Sequence, residues 1–228
     1  GPNPNYPTWT VAYDHATADA AVADLQAQGI DLMRLWLWEG QEALPYDPVF
    51  ADFEDVDAEW QAEPAGAVSV RHSLLHGTNG SHSLAIDISA TTPGWYGIAR
   101  PYSPDAPLNL ALANLWTGEA FNDLGTDVGI NLAFTTTDEA EATYQTRPGP
   151  GGGQRWLAAG TGGNMAVSLD EAGFASRWAL DTAPGVGVAR PDADVLQATT
   201  RIRVRVYLDA GQVPINGTLY LDDVRIRH

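Results

Sequence analysis

The chain has 228 residues, 44% of them hydrophobic, which suits one large domain or a domain with an appendage and is too apolar for a disordered chain. Twelve basic residues against 29 acidic ones give a formal charge of −17, which sets duplex nucleic acid aside as a partner, and the chain is too polar for a membrane-spanning run of about 18 apolar residues. Cysteine and lysine are both absent, excluding disulfides, thiolate zinc, cysteine nucleophiles, phosphate-loop lysines and Schiff-base lysines. What remains is sugar, carboxylate or calcium chemistry, worked by Asp, Glu, Trp, Tyr and Asn.

Gly1-Pro2 is what a tag-removing protease leaves, and no signal peptide comes after it, so the chain reads as excised from a longer one. Residues 1–50 form an N-terminal linker or docking segment. Within it the Ala-rich stretch Ala16–Gln28 is expected to be helical, with Thr17 as N-cap and Gly29 as the stop. Ile30–Trp38 is strand-like, and Pro45 and Pro48 punctuate the linker after it.

From residue 51 the texture changes to short alternating runs separated by Gly, Pro, Asn and Asp. Strands are expected at 52–56, 67–72, 81–88, 95–100, 108–115, 127–134, 142–146, 155–158, 164–168, 176–180, 200–207 and 218–227. So many short strands, with almost no helical periodicity, predict an all-β fold: an antiparallel β-sandwich of the jelly-roll kind over 51–228. The clearest run is Arg201–Tyr207, where apolar and charged residues alternate and so give one buried and one wet face. Pro148–Gly153 is too rich in glycine for a strand interior and is expected to be a mobile loop.

Three motifs fall in a telling order: Phe53-Glu54-Asp55, then Gly80-Ser81-His82-Ser83-Leu84, then Leu219-Tyr220-Leu221-Asp222-Asp223-Val224 near the end. Over residues 52–228 this resembles the β-sandwich carbohydrate-binding modules attached to enzymes that degrade plant and algal polysaccharides, most of all those beside β-mannanases and β-glucanases. The resemblance implies a jelly roll, a sugar cleft across one concave sheet, no catalysis, and a structural Ca2+ tying the first strand to the last through Glu54 and Asp222. Calcium takes six to eight oxygens, which two carboxylates and loop carbonyls can supply. The alternative is an ordinary solvated strand end, and a one-residue slip in register exchanges Asp222 for Asp223.

A pyranose ring offers a C–H patch on its face and hydroxyls at its edge, so its site needs an aromatic plate and planar polar groups. The candidates are Trp95, Tyr96, Arg100, Trp116, Arg155, Trp156, Trp178 and Arg203. Trp95 and Tyr96 face opposite sides of one strand, so one can be core while the other is platform. Core packing is the commoner fate of a single Trp. Two or three of the set are expected to be exposed, Trp116 and Trp156 first, because polar or Gly-rich segments adjoin them. Arg201, Arg203 and Arg205 share a strand face, either as a solvated surface paired with acids or as a cleft lining that bonds hydroxyls or carboxylates. Neutral and uronate polymers both stay open.

Catalytic readings fit less well. Glu54-Asp55-Val56-Asp57-Ala58-Glu59 only loosely resembles the E-x-D-x-x-E strand of jelly-roll glucanases, since Val56 takes the Asp position. The Arg and Gln-x-His strands of jelly-roll lyases are missing, and His72, His76 and His82 read as surface or turn residues. Leu25–Trp36 resembles the helix-to-strand L-x-x-x-G-x-x-x-x-R-L-W of glycosidase barrels, but one helix and one strand close no barrel. The expectation is a secreted, monomeric, glycoside-hydrolase-associated module that binds a polysaccharide or oligosaccharide, β-mannan or β-glucan first. It would hold a tethered catalytic domain at its substrate, with no nucleic acid or membrane as partner. The rivals are a jelly-roll lyase or glycoside hydrolase, and a protein-docking domain.

Overall fold

The computed structural model describes residues 50–51, 53, 59–77, 82–137 and 142–227. The helix expected at 16–28, the strand at 30–38, most of the strand at 52–56, and Glu54 lie outside them. The described chain is the expected all-β sandwich of two antiparallel sheets. One sheet runs in the order β10 (Thr161–Ser168), β6 (Leu115–Asp123), β13 (Ile215–Arg227), β4 (Ser83–Ala90) and β3 (Val68–Ser73), with β1 (Phe50–Ala51) also paired to β13. The other runs β11 (Trp178–Leu180), β8 (Thr143–Thr146), β7 (Val128–Thr136), β12 (Thr199–Leu208), β5 (Gly94–Pro101) and β2 (Gln61–Glu63), with β9 (Arg155–Leu157) also on β7. Two short helices, α1 (Glu171–Arg177) and α2 (Ala193–Leu196), complete it. Among the described residues no helix is long and apolar enough to cross a membrane.

Side-chain alternation builds the core. On β12, Ile202, Val204, Val206 and Leu208 are fully buried, while Arg201, Arg203, Arg205 and Tyr207 take the outer face. On β13 the buried series switches phase, from Leu219 and Leu221 to Val224 and Ile226. The switch is a bulge: pairing with β6 slips between Asp222 and Arg225, and Asp223 adopts φ 50°. The extra residue lets both halves of this long strand face the same core. It also settles the register at the strand's end, with Asp222 buried on the outer face opposite Glu119 and Asp223 in the bulge. On that face the Arg71 guanidinium and the Thr218 hydroxyl bond the Asp87 carboxylate at 2.8 and 2.7 Å, which ties β3, β4 and β13 together. Burial acts to raise the Asp87 carboxyl, yet these bonds outweigh it and hold the group below the usual carboxylate range.

Two of the expected sugar-stacking residues lie at the centre of the sandwich. Trp116 and Trp178 are both fully buried, with ring centroids 6.4 Å apart. Trp178 stacks on Phe174 at 5.5 Å and meets Phe134 edge-on at 5.3 Å, and its indole N–H donates to the Ser168 carbonyl at 2.7 Å. Trp116 falls inward because it starts the alternation of β6, a strand expected nearer the N-terminus, at 108–115. In that segment Leu108 and Leu110 are buried as plugs, while Asn109 folds back to accept the amide of Ala111, so no ladder forms. Helix α1 occupies part of the strand expected at 176–180. Asp170 caps it by accepting the Gly173 amide, and Phe174 enters the core. The glycine-rich loop is outside the sheets as expected, and it is anchored: the Arg177 guanidinium donates to the carbonyls of Gly151 and Gly152, each at 3.1 Å.

Trp178→Ala leaves a cavity between the sheets and an unpaired Ser168 carbonyl, and is expected to lower stability by about 3–5 kcal/mol in urea denaturation.

Candidate functional site

The outer face of the β7–β12–β5 sheet carries a groove of about 870 Å³, a size suited to a small ligand or a few rings of a polymer. Its floor is strand and its rim is loop. Asn131, Gln145 and Tyr207 rise from β7, β8 and β12, whereas Thr126, Asp127, Asp181, Pro184, Asp209 and Gln212 come from connections around them.

Three aromatic residues stand across the strands rather than along them. Trp156 on β9 pairs in register with Gly129 on β7. One step past the Val206 and Ile130 pairing, Gly129 is level with Tyr207 on β12, which pairs with Trp95 on β5. The row of Trp156, Tyr207 and Trp95 therefore spans three strand gaps, about 14 Å at about 4.8 Å per gap. Trp156 is 57% and Tyr207 46% exposed, high values for large rings. Glycine at 129 leaves the break in the row, where a side chain would strike the Gln154 amide, 2.4 Å from an ideal Cβ. Gln154 donates to the Gly129 carbonyl at 3.2 Å, while its own carbonyl oxygen is buried and, among the described residues, has no partner.

Beneath the row lies a polar network centred on Arg205, which is 9% exposed. Its Nε donates to Asn131 at 3.2 Å, and its Nη2 donates to Gln145 at 3.0 Å and to Asp181 at 2.8 Å. The guanidinium lies 4.1 Å from the Trp95 ring centroid, a cation–π contact that fixes that ring from one side. Tyr207 meets the same ring edge-on at 5.2 Å. Gly97, opposite Arg205 in register, lets β5 approach this closely: an ideal Cβ there would come within 2.2 Å of the Val204 carbonyl oxygen. Burial pulls the Arg205 guanidinium below its usual pKa, with the Asp181 carboxylate opposing the shift. The ion pair and its hydrogen bonds keep a charge where desolvation disfavours one.

Of the residues singled out from sequence, the structure brings Trp95 and Trp156 together in this groove. The other six are elsewhere. Tyr96 points into the sandwich and donates to the Thr92 carbonyl at 2.6 Å. Arg100, on the same inward-facing side of β5, pairs with Glu59 and lies over the Tyr102 ring. Arg155 turns toward β10, where its guanidinium lies against Gly163. Trp116 and Trp178 are core. Arg203 does share the outer face, but Glu63 and the Thr135 hydroxyl hold it at 3.0 and 2.6 Å, and Glu63 also takes Arg201. The arginine face is thus the acid-paired surface that alternation allowed, not an open row of donors. Tyr207, Asn131, Gln145, Asp181 and Arg205 complete the site. Arg205 and Tyr207 were legible on the alternating arginine face of their strand; Asn131, Gln145 and Asp181 carry no periodic signal.

The described histidines, His72, His76 and His82, lie at the other sheet. His76 stacks on Phe121 at 3.6 Å, and the rings of His72 and His82 come within 5.8 Å of each other. Among the described residues no three His, Asp or Glu side chains gather as a metal site.

An aromatic row thus stands above a hydrogen-bonded floor on one open sheet of the sandwich, and comparison with solved structures finds the same β-sandwich fold elsewhere. No family model and no curated protein matches the chain. An exo-β-agarase structure aligns at 13% identity over 80% of this chain and 25% of that chain, with a TM-score of 0.54. The N-terminal endo-1,4-β-D-xylanase 10B of Clostridium thermocellum, comprising CBM22-1 and GH10 modules and complexed with xylohexaose, aligns at 12% identity over 81% and 29%, with a TM-score of 0.52. A xylan-binding domain from CBM 22 aligns at 15% over 78% and 91%, with a TM-score of 0.48. At these identities the likeness is one of fold. The chain spans between a quarter and a third of the agarase and xylanase chains.

Asp181→Ala leaves Arg205 buried without its carboxylate. A loss of about 1–3 kcal/mol in urea denaturation is expected, along with a shift in Trp fluorescence as the ring of Trp95 loses its fixed neighbour.

Proposed function

We propose that residues 51–228 act as a non-catalytic module that binds a β-linked polysaccharide in the groove on the β7–β12–β5 face and holds an attached glycoside hydrolase at its substrate. The observation that carries this reading is the row of Trp156, Tyr207 and Trp95 crossing an open sheet above Asn131, Gln145 and Gln154. Rings offer their faces to pyranose C–H groups, and the rim side chains of Thr126, Asp127, Asp209 and Gln212 offer polar atoms to the hydroxyls. The row is long enough for several saccharide units, so a chain rather than a single sugar is the natural ligand. The xylanase neighbour, complexed with xylohexaose, supports an oligosaccharide ligand. The motif resemblance to mannanase- and glucanase-associated modules puts β-mannan and β-glucan first, with xylan beside them. Such polymers lie outside cells, which makes the module secreted, and the groove is lined by a single chain and needs no second copy.

The groove carboxylates have structural duties. Asp181 holds Arg205, Asp127 accepts the Ala159 amide at 3.0 Å, and Asp209 accepts the Gly211 amide at 2.7 Å. This supports binding over hydrolysis, and release of new reducing ends or unsaturated products would reverse it. In affinity gels of galactomannan, mixed-linkage β-glucan and arabinoxylan, the wild type is expected to be retarded by at least one. Trp156→Ala and Tyr207→Ala should each weaken that retardation about tenfold, close to 1.4 kcal/mol. Arg155→Ala, outside the groove, should not. Retardation unaffected by either aromatic substitution overturns the assignment.

We also propose a structural calcium ion at Asp222 and Glu54. Asp222 is 2% exposed, opposite Glu119 on the outer face, with one carboxylate oxygen accepting the Asp223 amide. A buried carboxylate in a bulge of the last strand fits a hard cation. Bound there, calcium would hold strands distant in sequence. Thermal melting with and without a chelator tests this, and an unchanged midpoint removes the ion.

A further inference from the structure

We infer that the groove selects by charge: it accepts uncharged saccharide chains and turns away glycans bearing carboxylate or sulfate groups. This rests on the groove being the glycan site, and it resolves the choice between neutral and uronate polymers that the sequence left open.

Each charged residue lining the groove is acidic: Asp127, Asp181 and Asp209. The nearby cation, Arg205, is buried and already paired. Its Nε and Nη2 donate to Asn131, Gln145 and Asp181, and its face lies against Trp95. Farther along the same face, Glu63 holds Arg201 and Arg203. Asp127 and Asp209 each accept a backbone amide, and among the described residues neither has a basic partner. An anionic group entering here loses hydration, finds no guanidinium to replace it, and meets two uncompensated carboxylates on the rim. A neutral hydroxyl carries no charge to be repelled there, and the exposed Asp127 and Asp209 oxygens are acceptors it can use. A recognition site for uronates or sulfates needs the reverse, a fork of free arginine donors.

Like charges about 10 Å apart at an effective dielectric constant of about 20 oppose each other by roughly tenfold in affinity. Salt weakens this, since the screening length falls from about 10 Å at 0.1 M to about 3 Å at 1 M. The chain's overall charge of −17 also repels anions, so the test must separate groove from background.

Galactomannan, mixed-linkage β-glucan and arabinoxylan, each native, carboxymethylated and hydroxyethylated to the same low degree, are run as affinity ligands in low salt and in 1 M NaCl. For whichever native polymer is bound, the carboxymethyl form should bind at least tenfold more weakly than the hydroxyethyl form in low salt, and the gap should narrow in 1 M NaCl. The double variant Asp127→Asn/Asp209→Asn keeps the amide-accepting oxygens and should close most of the low-salt gap. Asp105→Asn/Asp194→Asn, exposed positions outside the groove, removes the same total charge and should leave the gap in place. Equal binding of the carboxymethyl and hydroxyethyl forms overturns the inference alone. So does a gap that the groove variant leaves untouched, or that the remote variant closes equally. Binding of none of the native polymers overturns the glycan-binding reading and this inference with it.

Discussion

The Arg205 guanidinium is where sheet, groove floor and aromatic wall meet. It joins β12 to β7 through Asn131, to β8 through Gln145, and to the segment after β11 through Asp181, and it lies against Trp95 of β5. Four elements that share little sequence proximity are fixed by one side chain. The cost is a charge carried at low exposure, and the bonds offset it only because they arrive together in good geometry. A floor assembled this way is rigid before any ligand arrives, so binding need not order it.

The sandwich makes that floor possible. Strict alternation on β12 puts four aliphatic residues in the core and leaves Arg201, Arg203, Arg205 and Tyr207 on the open face. The bulge at Asp223 does the equivalent service on β13, correcting the phase so that both halves of a 13-residue strand stay buried on one side. Trp116, Phe134, Phe174 and Trp178 fill the space between the sheets. The chain thus uses aromatic residues for two opposite purposes, and position on the strand decides which.

That division explains how much was legible in the residues alone. The all-β class, the jelly roll and most strands came from alternation and turn residues. So did the opposed fates of Trp95 and Tyr96, because neighbours on a strand must part. Trp116 and Trp178 were misjudged because composition beside a residue does not reveal strand phase: Trp116 opens a strand that begins later than expected, and Trp178 comes directly after a helix whose cap, Asp170, went unnoticed. Arg100 and Arg155 sit near the right aromatic residues in sequence but point the other way. The floor amides and the rim acids belong to five separate segments, and nothing local marks them as neighbours.

The groove divides its labour between a braced sheet and five connections, those after β6, β8, β9, β11 and β12. Hydrogen bonding from Arg177 and Gln154 keeps the connection after β8 in place without drawing on the sandwich interior. Residues such as Pro148 and Pro184 can therefore be exchanged, and the outline of the groove recut, while the hydrophobic interior goes on folding as before. A scaffold of this kind lets the groove change its shape without first having to recover lost stability.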